Sequence, residues 1–287
     1  MERFTCGGAM EHRTLSPDTL AALHIKTPKQ LHLNSDALVN AAKAEQRQGW
    51  VYLPLCNTLC AQGLGAAPTL SLEGARVREQ PFHRAEELPR VLSPGFPRMD
   101  AMLDAMDRLA AEKYRIAYRV EGPLTLLSTL LPMRQMFAAL RQPEGGTLLR
   151  RAEDWVCQYA ALAAAHGVAL FSFADPVATV DILGKRGFTS LYRETCIRLL
   201  RRLQTAHPQI PIHLCGKMTQ SMLDTGSCQV ELWKPSPSCS TYGQALAAWW
   251  QAGDYRFIVG HFCINQLEAK RPWLTLIDFE EEKQHGR

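Results

Sequence analysis

His213-Leu214-Cys215 carries two metal-ligand side chains two residues apart, and His261-Phe262-Cys263 repeats that spacing. On a β-strand, residues i and i+2 project to the same face, so each pair can reach a single ion. The chain holds nine His and nine Cys in 287 residues. That composition alone gives roughly 0.3 such triplets, and two exceed it. Zinc favours imidazole nitrogen and thiolate sulfur, and a catalytic zinc takes three protein ligands and leaves a fourth position open. His213, Cys215 and Cys263 supply such a set. A zinc there would hold a substrate thiol deprotonated near neutral pH, a nucleophile toward a methyl donor, or act as a Lewis acid on an ether oxygen. Taken singly, the two cysteines also read as small core hydrophobes and His213 as a buried, hydrogen-bonded imidazole. The paired spacing favours metal.

Those residues need elements to position them. Short β-rich runs alternate with longer amphipathic stretches from about residue 38 onward, the pattern of repeated βα units. Strands are expected at 50–55, 115–120, 168–174, 210–214, 230–233, 256–262 and 274–279. Helices are expected at 38–48, 99–113, 125–140, 148–166, 188–206, 219–223 and 242–251, the third split at Pro132, because proline lacks the N–H a helix interior needs. Residues 68–80 read as a small inserted hairpin around Glu73-Gly74. The expected fold is an α/β (β/α)8 TIM barrel formed by a single domain, 1–287, with an N-terminal extension over about 1–37.

In such a barrel the C-terminal ends of the strands build the active site. Cys56, Asn57, Glu121, Asp175, His213, Cys215, Lys234, His261 and Cys263 fall there. Asp175, held extended by Pro176, either aims its carboxylate across the barrel mouth or stabilises its turn. Glu121 before Gly122-Pro123 contacts substrate or pairs with an arginine, and Glu231 is a candidate partner for a metal-bound histidine. Asp175 and Glu121 are the catalytic candidates. Core packing is the default for Cys56 and Cys60 and explains Trp249 and Trp250.

Several function classes are excluded on composition. The net charge of +4, from 32 basic and 28 acidic residues, is mild, and Arg198, Arg201 and Arg202 read as a solvated helix face, so no nucleic-acid partner is expected. No apolar stretch reaches the ~18 residues that span a bilayer, and MERFTCGGAMEHR lacks the apolar centre of a secretory signal. A cytoplasmic protein without a membrane partner is the expectation. The odd cysteine count argues against a disulfide framework, and no phosphate-binding glycine motif occurs.

The segment IPIHLCGKMTQSMLDTG (210–226) resembles the H-x-C-G strand and following helix of the cobamide-dependent methyltransferases of the uroporphyrinogen decarboxylase superfamily. In the same order, YLPLCNTLCAQGLGA resembles the superfamily's early strand and L-G-A helix, VEGPLTLLSTLL its G-P-[FL]-T-L segment, FADPVATVDILGKRGF its A-D-P strand end, and FIVGHFCIN its late strand. The resemblance covers roughly residues 38–265. It implies a uroporphyrinogen decarboxylase-like barrel, zinc, and a methyl group exchanged with a corrinoid (cobalamin) presented by a partner protein. His213 and Cys215 match the first two zinc ligands, and Asp175 matches a polar residue facing the cavity. The chain departs from the pattern where the family's third ligand, a cysteine after the last strand, is expected. Cys263 substitutes for it, with His261, which stands where the family usually has Asn, as the alternative. The R-Q-A-G-R stretch of true decarboxylases is absent. The expected activity is therefore zinc-dependent methyl transfer between a corrinoid protein and a small thiol or methylated substrate. The alternatives are a metal-free decarboxylase-like lyase and a non-catalytic corrinoid- or tetrapyrrole-binding barrel.

Overall fold

A computed structural model of the chain describes residues 15–235 and 238–279. Arg3, Arg13, the Cys6-Gly7-Gly8 segment and the charged tail 280–287 lie outside the described residues. Helices α1 (Pro17–Ala22), α2 (Pro28–Leu33) and α3 (Ser35–Ala44) precede strand β1 (Trp50–Leu53). Helix α4 (Leu59–Gly63) and the hairpin β2 (Thr69–Ser71) and β3 (Gly74–Arg76) follow. Next come α5 (Pro97–Ala111), β4 (Arg115–Glu121), α6 (Pro123–Leu130), α7 (Met133–Leu140), α8 (Gly145–Ala164) and β5 (Val168–Ala174). The chain continues through α9 (Val180–Gly187), α10 (Arg193–Ala206), β6 (Ile212–Leu214), α11 (Gly216–Asp224) and β7 (Gln229–Trp233). It ends in α12 (Tyr242–Ala252), β8 (Ile258–Gly260) and β9 (Leu274–Asp278).

Local chemistry sets these boundaries. Thr27 and Gln30 close a capping box on α2, and the Asn34 side chain accepts from Ala37 N at 2.9 Å to start α3. Pro132 divides α6 from α7, and the hairpin turns at Glu73-Gly74, both where the sequence places them. Helix α9 escapes the sequence reading because two glycines interrupt its eight residues and Gly184 sits at φ +67°. Residues 188–192 form a π-helical turn before α10, an irregularity often found at functional sites.

One sheet has the strand order β1-β4-β5-β6-β8-β9-β7. The ladder is parallel from β1 through β8, whereas β9 is antiparallel to both β8 and β7. Where the sequence predicts eight parallel strands, the described residues give seven, of which the last part turns back. Residues 261–273 hold only a 3-10 turn (Ile264–Gln266) and no crossover helix, so β9 returns beside β8 antiparallel.

Alternate side chains face opposite ways. Val51, Leu53, Ile116, Tyr118, Phe171, Phe173, Ile212 and Leu214 pack with α3, α5, α6, α8, α10 and α11. Trp50, Tyr52, Ala117, Leu170, Val259 and Leu276 meet Tyr242, Ala245, Leu246 and Trp249 of α12 instead. Burial on both faces explains the near-continuous apolar strands such as VALFSFA. Helix α12 thus covers the face of the sheet opposite the other core helices. Trp250 Nε1 donates to Ala169 O at 2.9 Å, and the Arg115 guanidinium lies over the Trp50 and Trp250 rings.

On the other face, Arg198 and Arg202 of α10 both pair with the fully buried Glu153 of α8, and Arg202 also reaches Asp154 at 2.7 Å. The basic run therefore clamps two helices in addition to meeting solvent. Among the described residues no helix is long and apolar enough to cross a membrane. Leu246→Ala removes a fully buried side chain between α12 and the sheet. It is expected to lower the unfolding free energy by about 2–5 kcal/mol in denaturant titration; a loss near zero would show that α12 does not hold the sheet.

Candidate active site

The parallel strands deliver the candidate residues to one edge. Cys56 follows β1, Glu121 ends β4, Asp175 follows β5, Cys215 follows β6, and His261 and Cys263 follow β8. This placement agrees with the strand-end rule used on the sequence.

Asp175 is fully buried and accepts four hydrogen bonds. Oδ1 takes the Thr125 amide at 2.8 Å and hydroxyl at 2.6 Å, while Oδ2 takes Leu124 N at 2.9 Å and the Tyr192 hydroxyl at 2.5 Å. Its carboxylate thus satisfies the open N–H groups that begin α6, and the π-helical turn supplies the tyrosine. Gly122 permits the approach, since a Cβ there would stand 2.4 Å from Asp175 Cβ and Oδ2. Burial pushes the Asp175 carboxyl up, against the opposing pull of Thr125, Tyr192 and Leu124.

Glu121 lies beside this buried carboxylate. Burial first, then the charge of Asp175 and that of Cys56, push its carboxyl up to about 8. The two acids therefore differ in environment, one ringed by donors and one surrounded by apolar and anionic neighbours. Glu121 holds a proton at neutral pH and forms no ion pair with an arginine among the described residues.

His213 is fully buried on β6, paired with Ser172 on one side and Val259 on the other. Its Nε2 lies 2.9 Å from the Tyr242 hydroxyl of α12, and that hydroxyl lies 3.3 Å from Gly260 O. A carbonyl oxygen only accepts, so with the phenol proton on Gly260 O the imidazole donates through Nε2 and keeps the lone pair on Nδ1. Nδ1 has no hydrogen-bond partner among the described residues. Burial lowers the imidazole to about 4, only partly offset by the nearby backbone of Phe262 and of His213 itself, so the ring is neutral at pH 7. Burial also raises Tyr242 well above the usual phenol range, helped by Cys263 and Cys215. Both thiols thus lie within electrostatic reach of the phenol that His213 touches.

The donor types that zinc favours are therefore gathered around Tyr242, with an orphaned ring nitrogen among them. Their spacing is less complete. Among the described residues no three His, Cys, Asp or Glu side chains converge closely enough to hold a metal ion as they stand. His261, the alternative ligand, is 1% exposed, and its ring packs against Phe262 and Trp273 at 4.8 and 5.1 Å between centroids. Its φ of +89° is unusual for a non-glycine residue, and its amide donates to Thr219 Oγ1 at 3.2 Å. Glu231 lies exposed on β7 and away from His213 in strand order.

Tyr242, His32 and Arg98 are the site neighbours that sequence reasoning missed. Tyr242 opens a helix assigned to packing, and no spacing pattern links it to residue 213. His32 and Arg98 flank Cys56 from two separate helices, and nothing local in the sequence joins the three.

The comparisons with known proteins follow the same outline. A family model described as "Uroporphyrinogen decarboxylase (URO-D)" matches residues 50–263. No curated protein gives a significant match. Among solved structures, a methyltransferase from Methanosarcina mazei superposes with a TM-score of 0.62 at 18% identity. That match covers 73% of this chain and 64% of the other, so this chain spans less than two thirds of that structure, and the likeness is one of fold. With β1 through Cys263 inside the matched region, the chain belongs to the uroporphyrinogen decarboxylase (URO-D) family.

Proposed function

We propose that this chain is an enzyme that transfers a methyl group between a corrinoid held by a partner protein and a small thiol or methylated substrate. The observation that carries the reading is the gathering of His213, Cys215 and Cys263 around Tyr242 at the strand-end edge. The family and the Methanosarcina mazei methyltransferase of like fold support it. His213 through Nδ1, with Cys215 and Cys263, would hold zinc, and zinc bound there would keep a substrate thiol ionised near neutral pH. Tyr242 fixes the imidazole's tautomer through Nε2, and burial keeps the ring uncharged and available as a ligand.

Glu121 has a separate task in this reading. It holds a proton at neutral pH that it can give to a departing group or take back from an incoming thiol. Asp175 is assigned a positioning role, since all four of its acceptor sites are engaged and no solvent reaches it. Burial first and then its charge keep Glu121 protonated, and its hydrogen bonds fix the start of α6. One observation favours the metal-free lyase as a second reading: among the described residues, no three His, Cys, Asp or Glu side chains converge as they stand.

Metal analysis separates the two. Protein purified without chelators is expected to carry near-stoichiometric zinc that Cys215→Ser loses, with demethylation of methylcobalamin by a small thiol lost in parallel. Zinc-free protein that retains full transfer would sink the reading.

Glu121 also gives a pH signature. Its folded value of about 8 lies above the ordinary 4.5, so its contribution to stability is complete below about pH 4.5 and is lost as pH rises through 8. Glu121→Gln stays neutral throughout. The variant should gain nothing in acid and gain on the order of 5 kcal/mol above about pH 8, read from unfolding curves across pH. A gain that does not change with pH would contradict the protonated state.

A further inference from the structure

A second cluster lies outside the His213 site. Arg98 on α5 is 3% exposed. Its Nη2 donates to Cys56 Sγ at 2.8 Å and Thr58 Oγ1 at 2.9 Å, and its Nη1 donates to Gln62 Oε1 at 2.9 Å. Among the described residues no carboxylate lies within ion-pair distance of it. A guanidinium removed from water requires a counter-charge. Of its three partners only Cys56 can ionise.

The other neighbours of Cys56 favour the same form. His32 on α2 is 2% exposed and hydrogen-bonds the thiol, while its Nε2 lies 2.9 Å from Ser71 O. Because a carbonyl only accepts, Nε2 donates there, so the other ring nitrogen can take the thiol proton and then donate it back to the thiolate. The Ala75 amide of β3 adds a backbone donor. Glu121, the acidic group that faces Cys56 from β4, is protonated at neutral pH and does not oppose a charged sulfur.

A small pocket opens beside the sulfur. His32, Cys56 and Arg98 form its polar side, and Leu38, Leu59 and Met102 are among its apolar walls. It has about 240 Å³ of space free of atoms, part of it open to solvent, and its clear width admits a water-sized molecule. A reagent that reaches the sulfur must therefore be small.

We propose that Cys56 is held as a thiolate by Arg98 and His32 and is a modification site at which hydrogen peroxide forms a sulfenic acid. The sulfur attacks one peroxide oxygen, the O–O bond breaks, and hydroxide leaves to take a proton from solvent. Sulfur loses two electrons and the peroxide gains them. Burial pushes the Cys56 thiol up, but the His32 hydrogen bond and the charges of Arg98 and His32 outweigh it and bring the thiol down to about 7. Burial instead pushes Cys60 and Cys196 well above the ordinary thiol range and Cys228 up to about 12. Among these cysteines, only Cys56 offers an anion at neutral pH.

The test uses the reduced full chain, exposed briefly to hydrogen peroxide across a range of pH and then denatured in dimedone, with each cysteine peptide followed by mass spectrometry. Cys56 is expected to gain the dimedone adduct first, with a rate that rises through about pH 7 and then levels. Arg98→Met should slow the neutral-pH reaction by about tenfold and move the inflection up toward that of an ordinary thiol, about 8.5. Should that variant not fold, the profile of the unaltered chain decides alone. A Cys56 rate no greater than that of Cys157 or Cys239, or one that climbs without levelling near 7, would overturn the proposal.

Discussion

The four hydrogen bonds to Asp175 are the constraint on which the strand-end edge depends. They join the end of β5 to the start of α6 and to the turn that leads into α10. A buried carboxylate with all its acceptor sites filled has one low-energy position. Gly122 must stay small so that β4 can end against it, which in turn sets Glu121 beside a fixed negative charge. Burial of Glu121 comes first and the anchored charge of Asp175 adds to it, so the protonation of Glu121 depends in part on how α6 is anchored.

The same edge depends on what covers the sheet. Helix α12 lies on the face opposite the other core helices and brings Tyr242 to His213. The Tyr242 hydroxyl on Nε2 fixes which way the buried imidazole lies and leaves Nδ1 without a hydrogen-bond partner among the described residues. Packing and candidate chemistry are here carried by one side chain. The positive φ of His261 sits next to it, where the chain leaves β8 and must clear Thr219 before the 3-10 turn.

Much of this was legible in the sequence, for physical reasons. Short, near-continuous apolar runs and Gly or Pro punctuation mark β1, β4, β5 and β6, the break at Pro132 and the hairpin around Glu73-Gly74. The H-x-C-G segment marks the end of β6, where His213 and Cys215 stand. What escaped was determined by tertiary placement. The apolar pattern of α12 says that it is buried but not on which face, and β9 turns back because a crossover helix is missing from 261–273. Asp175 was recognised as a strand-end acid, but its saturation by Thr125, Leu124 and Tyr192 depends on groups up to about fifty residues distant. Cys56 passed for a core cysteine because the histidine and arginine that flank it come from α2 and α5.

The inserted hairpin has a bearing on all of this. It is three residues long on each side, too short to be stable alone, and it is fastened to the body through Ser71 O on His32 and through the Ala75 amide on Cys56. Gly74 brings its turn against the cysteine, where an added side-chain carbon would sit 3.8 Å from Cys56 Cβ. Charging the sulfur strengthens the Ala75 fastening, and by thermodynamic reciprocity a fastened hairpin favours the charged sulfur. Ionisation of the sulfur and fastening of the insertion over it are therefore coupled through the Ala75 amide.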